Sequence, residues 1–106
     1  MQYRTMPKSM DKLSALGLGC MRLPLTPEGK IDRDKALEMM HYAYNHGVNY
    51  YDTAWGYHEG ESEPMLGEFI SQIKRKQIYV ATKLPCWLIK TREDMDSYLN
   101  QQLERL

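Results

Sequence analysis

The stretch Val48-Asn49-Tyr50-Tyr51-Asp52-Thr53-Ala54-Trp55-Gly56-Tyr57 constrains this chain more than any other. Its first half is β-branched and aromatic, a composition that favours a buried strand. Gly47 stands before it, where a helix-ending glycine belongs. The strand pattern stops at Asp52, and Tyr57 follows past Gly56 on what reads as the loop leaving the strand. A second run, Ile78-Tyr79-Val80-Ala81-Thr82, is nearly continuous and apolar, as expected of a parallel strand covered by helices on both faces. It ends in Lys83. Asp52, Tyr57 and Lys83 thus lie at the C-terminal ends of two strands and on one loop, where parallel α/β folds place their chemistry.

The rest of the chain supplies the elements such a sheet needs. Tyr3–Met6 and Lys12–Leu16 read as a hairpin around the turn-like Pro7-Lys8-Ser9-Met10-Asp11. Leu16–Leu18 reads as a short buried strand leading into Gly19-Cys20-Met21-Arg22-Leu23-Pro24. Gly17 and Gly19 form a G-x-G, but Arg22 stands where a dinucleotide fingerprint needs a third glycine, so close backbone approach explains the pair better. Asp32 is a candidate N-cap for a helix whose apolar face is Ala36, Leu37, Met40, Ala43 and Tyr44. His41 and His46 belong to this helix, in structural or solvated roles.

Ser62 is a candidate cap for a second helix, with Pro64 in its first turn and Leu66, Phe69, Ile70 and Ile73 as its apolar face. Lys74-Arg75-Lys76 closes that helix in agreement with its dipole. Gly67 is costly inside a helix, and close packing against the sheet would account for it. Thr91 with Asp94 resembles a capping box for a third helix, whose stripe Met95, Leu99, Leu103 and Leu106 predicts core packing. Strand and helix alternate three times, which argues for a parallel α/β sheet with right-handed crossovers. A doubly wound sheet and a (β/α)8 barrel both fit. A barrel needs about 250 residues, and 106 residues supply about three of its βα units. The helical pattern is still running at Leu106, as in the first part of something longer.

Fourteen basic and fourteen acidic side chains cancel, leaving nothing that steers the chain to nucleic acid or an anionic membrane. No apolar run has the length of a membrane span or a signal sequence, which makes a cytoplasmic location the expectation. Cys20 and Cys86 are far apart without metal-ligand spacing, and two unpaired thiols are expected.

Tyrosine is a sluggish acid, with an ordinary pKa of about 10. A lysine ammonium beside it favours the phenolate, and an aspartate beside the lysine keeps that ammonium charged and aimed. Such a trio can protonate an oxygen on which negative charge is developing, as carbonyl reduction requires while hydride reaches carbon. Protein side chains do not supply hydride, so a nicotinamide cofactor follows. Taken singly, each residue has a plainer explanation: a turn-capping aspartate, a packed tyrosine, a solvated lysine. A non-catalytic assembly or binding module is the rival reading. A flavodoxin-like binding domain is a second alternative, but the chain has no loop built to cradle a phosphate.

The chain closely resembles the N-terminal part of the aldo-keto reductase family. The resemblance rests on Leu16-Gly17-Leu18-Gly19-Cys20-Met21-Arg22-Leu23-Pro24, on His46-Gly47-Val48-Asn49-Tyr50-Tyr51-Asp52-Thr53-Ala54, on Tyr57, Ser62-Glu63 and Leu66-Gly67, and on Val80-Ala81-Thr82-Lys83. It implies a (β/α)8 barrel whose bottom the N-terminal hairpin closes, present here as one partial domain over residues 1–106. It also implies NADPH-dependent reduction of small aldehydes or ketones. Asp52, Tyr57 and Lys83 match three members of the family's catalytic tetrad. Met21, Arg22 and Asp52 fall where the cofactor is approached. The tetrad histidine follows a fourth strand that this sequence does not include, and His58 does not match it. Some relatives with a similar Cys-Met-Arg-Leu-Pro opening carry a C-terminal iron-sulfur domain, outside these residues. The resemblance therefore implies an oxidoreductase in truncated form, inactive by itself.

Overall fold

The computed structural model describes Met1–Leu106 throughout. An antiparallel hairpin of β1 (Tyr3–Thr5) and β2 (Lys12–Ser14) precedes a parallel sheet ordered β3 (Leu18–Gly19), β4 (Tyr50–Asp52), β5 (Tyr79–Ala81). Helices α1 (Arg33–Asn45), α2 (Ser62–Ser71) and α3 (Arg92–Arg105) follow the three parallel strands in turn. The alternation expected from the sequence is present, and apart from the C-terminal end of α2 each element lies within one or two residues of its expected ends.

Strand register decides which side chains meet the helices. Leu18 lies beside Tyr51, and Tyr51 beside Val80. All three pack into the core formed with Met40, Leu66, Phe69 and Ile70. Tyr51 and Phe69 are fully buried, their ring centroids 5.2 Å apart. Burying each such side chain stabilises the fold by roughly 1.5–3 kcal/mol. Successive strand residues point to opposite faces, so the next row, Gly19, Asp52 and Ala81, turns away from the helices.

Local chemistry sets the ends of α1. Asp32 caps it by accepting from the Lys35 amide at 3.2 Å. At the other end the Val48 and Gly47 amides bond back to the Ala43 and Tyr44 carbonyls at 3.0 Å each, a Schellman closure. Gly47 has φ of 91°, and a Cβ there would also meet the Tyr3 hydroxyl at 2.7 Å. The hairpin is held at the N-terminal ends of β4 and β5. Asn49 bonds the Ser14 amide (2.7 Å) and the Lys12 carbonyl (2.8 Å), and the Tyr79 hydroxyl donates to Asp11 (2.9 Å). His41 bonds Gln72 at 2.7 Å and His46 stacks on Tyr42, so both serve the helix.

Five expectations are corrected. The helices cover one face of the sheet, and Tyr79 on the opposite face is the polar exception in the apolar run. The first parallel strand begins at Leu18 rather than Leu16. Lys74-Arg75-Lys76 lies beyond α2, which ends at Ser71, and Arg75 instead bonds the Ile78 carbonyl at 2.9 Å. Gly67 packs against α3 rather than the sheet: a Cβ there would lie 1.8 Å from the Arg105 carbonyl oxygen. Met95, Leu99 and Leu103 face solvent, and only Leu106 of that stripe reaches the core. The inward face of α3 carries Tyr98, Gln102 and Arg105, because what it meets is polar. The capping box of Thr91 and Asp94 is present.

Candidate active site

The three parallel strands end side by side and bring the expected trio together. The Lys83 ammonium donates to Asp52 Oδ1 at 2.6 Å and to the Thr53 carbonyl at 2.9 Å. The same ammonium sits 4.8 Å from the centre of the Tyr57 ring. Partial burial pulls the lysine pKa down, but the Asp52 carboxylate and the Tyr57 oxygen outweigh it and hold the ammonium above its ordinary value. Lys83 and Asp52 are 49% and 38% exposed, so the group is a shelf open to a ligand rather than a closed pocket. None of the three main surface hollows is lined by it.

Beside this shelf, β3 runs into a single 3-10 turn, Cys20–Arg22, that carries Met21 and Arg22. Two contacts brace the turn. Ser62 donates to the Cys20 carbonyl at 2.9 Å, and the Leu23 amide donates to His58 Nε2 at 2.9 Å. His58 and Glu59 are both left-handed, with φ of 53° and 55°. Backbone of that kind costs about 1–2 kcal/mol per residue, and the bond to Leu23 offsets part of the cost. His58 therefore acts as a brace for the turn. Ser62 is not the cap of α2 either: Glu61 holds that position without a side-chain bond, and the Ser62 hydroxyl is shared between Cys20 and the buried Thr53. Cys20 is fully buried, and burial, reinforced by the Asp52 charge, pushes its thiol up to about 12.

The structure adds residues that sequence reasoning passed over. Glu63, with no exposed surface, accepts from Thr82 (2.7 Å), from Gln102 (3.0 Å) and from Arg105 (3.4 Å). Gln102 also donates to the Lys83 carbonyl at 2.9 Å. Arg105 lies 3.7 Å from the Trp55 ring centre, and Trp55 meets Tyr98 edge-on. The available signal was Glu63 directly after Ser62 in the first turn of α2, a pair that also belongs to the resemblance but whose carboxylate was given no role.

Arg22 is exposed and makes no ion pair or hydrogen bond, while Met21 is 57% exposed beside it. No three His, Cys, Asp or Glu side chains converge to hold a metal ion. No helix is long and apolar enough to cross a membrane.

Comparison with known proteins gives this arrangement its context. The sequence profile described as the Aldo/keto reductase family matches residues 15–106. Norsolorinic acid reductase B of Dothistroma septosporum is 38% identical over 88 residues, covering 78% of this chain and 22% of its own length. The holo form of an aldo-keto reductase from Bacillus halodurans superposes with a TM-score of 0.80 at 28% identity, covering 100% of this chain and 36% of that one. An aldo-keto reductase from Klebsiella pneumoniae, solved with NADPH, has a TM-score of 0.79 at 22% identity, over 99% of this chain and 36% of its own, and supports the fold alone. The chain thus spans well under half the length of these relatives, and its three-stranded sheet is part of a (β/α)8 barrel. A profile match that starts at the edge of the hairpin and takes in β3, β4 and β5 with Asp52, Tyr57 and Lys83 shows that the chain belongs to the aldo-keto reductase family.

Proposed function

We propose that this chain provides the proton-donating side of an NADPH-dependent reduction of a small aldehyde or ketone. The observation that carries the proposal is the placement of the Lys83 ammonium, 2.6 Å from Asp52 and against the Tyr57 ring, at the open C-terminal edge of the sheet. Tyr57 is the proton donor to the carbonyl oxygen. As that oxygen gains negative charge and the phenol gives up its proton, the adjacent ammonium stabilises the charge left on the phenol oxygen. Asp52 and the Thr53 carbonyl aim the ammonium, and Asp52 also keeps it charged. Met21 and Arg22, on the braced turn beside Asp52, are the residues of this chain that would hold the cofactor with Asp52. Bound NADPH supplies the hydride. The C-terminal barrel edge is the working face in proteins of this architecture, which supports the same placement.

The decisive variant is Tyr57→Phe in the natural gene product, which keeps the ring and removes the proton. Turnover of an aldehyde panel is expected to vanish while NADPH titration, followed by nicotinamide fluorescence, stays as in the wild type. Retained turnover would refute the assignment.

A further inference from the structure

Lys83 has a side chain with four rotatable carbons and half of its surface in solvent, so its own rotamers do little to hold it. Its main chain, in contrast, is tightly held from behind. Gln102 of α3 donates to the Lys83 carbonyl at 2.9 Å and to the Thr82 hydroxyl at 3.2 Å. The Thr82 hydroxyl in turn donates to Glu63 of α2 at 2.7 Å, and Gln102 also bonds Glu63 at 3.0 Å. The three side chains form a closed triangle whose free corner is the carbonyl of Lys83.

We infer that Glu63 and Gln102 are positioning residues for Lys83, fixing the backbone from which its ammonium reaches Asp52 and Tyr57. Energy alone does not explain this triangle. A buried carboxylate is costly unless fully compensated, and an apolar cluster of similar volume packs as well or better. An apolar cluster, however, sets no direction for a carbonyl. Glu63 is fully buried and Gln102 is 3% exposed, so neither touches a ligand on the open shelf. Their contribution reaches the reaction only through Lys83. The same triangle joins α2 and α3 to the end of β5, so a movement of either helix is passed on to the lysine.

The inference rests on the assignment of Tyr57 and Lys83 above, and its test separates the two. Gln102→Leu in the natural gene product removes the donor to the Lys83 carbonyl. Its kcat is expected to fall about 10- to 100-fold, the range that a displacement of about 1 Å produces, with NADPH titration unchanged. The exchange E63Q/Q102E restores an amide–carboxylate bond between α2 and α3 but leaves no donor for the Lys83 carbonyl. Its melting temperature is expected to return toward the wild type while kcat stays low. Recovery of kcat together with the melting temperature would show that the triangle only holds the helices, and would overturn the inference. So would a wild-type kcat in Gln102→Leu. Tyr57→Phe is measured alongside: if that variant retains turnover, the failure lies with the assignment of Tyr57 and not with Glu63 and Gln102.

Discussion

Cys20 and Cys86 are the same side chain in opposite surroundings. Cys20 is sealed under the core, its thiol pushed up to about 12 chiefly by burial, whereas Cys86 stands exposed beyond β5. The thiolate is the reactive form, so at pH 8 a disulfide reagent is expected to titrate one thiol in the folded protein and two in urea. Two fast-reacting thiols without denaturant would contradict the burial of Cys20. A pKa raised by folding contributes stability that is complete below the unfolded value and fades as pH rises through the folded one. Stability is therefore expected to decline between about pH 9 and pH 12, and Cys20→Val to flatten that part of the curve in urea titrations at stepped pH. The absence of a disulfide was legible from the cysteine spacing. Which thiol is buried was not, since that depends on Ser62 drawing the Cys20 carbonyl under α2.

At the scale of elements, Gly67 sets the distance between α2 and α3. Helix propensity alone makes Gly67→Ala favourable by about 1 kcal/mol. Packing opposes it, because the new methyl would lie 1.8 Å from the Arg105 carbonyl oxygen and α3 would have to shift. Overpacking costs typically about 1–3 kcal/mol, so a net loss of stability is expected, read as a lower urea midpoint. An unchanged or higher midpoint would mean that α3 gives way freely. The two helices α1 and α3 also show how much of the fold could be read in advance. In α1 the apolar spacing identified the buried face correctly, with Ala36, Leu37 and Met40 inside. In α3 the same reasoning chose the wrong face. Glu63 lies across from α3, and a buried carboxylate needs donors, so Gln102 and Arg105 turn inward and Met95, Leu99 and Leu103 turn out. Periodicity shows that a helix has two faces. Which one is buried depends on the partner, and Glu63 sits thirty-nine positions from Gln102. Asp52 and Lys83 stood out in the sequence because each closes a strand pattern, and Tyr57 because it lies on the loop that follows at once, whereas the triangle behind Lys83 exists only once three elements have met.

As a whole the molecule is a slab of 43 × 41 × 20 Å, one layer of sheet and one of helices. β3 and β5 each have one strand neighbour, and three large apolar side chains of α3 lie in water. Unpaired strand edges invite association. A polypeptide of these 106 residues, made by itself, is expected to self-associate, bind a hydrophobic dye and show no NADPH-dependent aldehyde reduction. A monomer with a cooperative melt and measurable turnover would refute this. The parallel order was legible because strands and helices alternate, but the one-sided cover was not, since an apolar strand reads alike with one or two faces covered. The thinness of the slab has a further consequence for the Lys83–Asp52 pair. With water over the shelf the two charges interact through a high dielectric, and exposed pairs of this kind are worth about 0–1 kcal/mol. Added salt screens them further, over a Debye length of about 8 Å at physiological ionic strength. Anything that settles over the inner face of the sheet and expels that water strengthens the same attraction several-fold with no atom moved. The 20 Å depth of the molecule thus leaves this ion pair weak, however short its 2.6 Å contact.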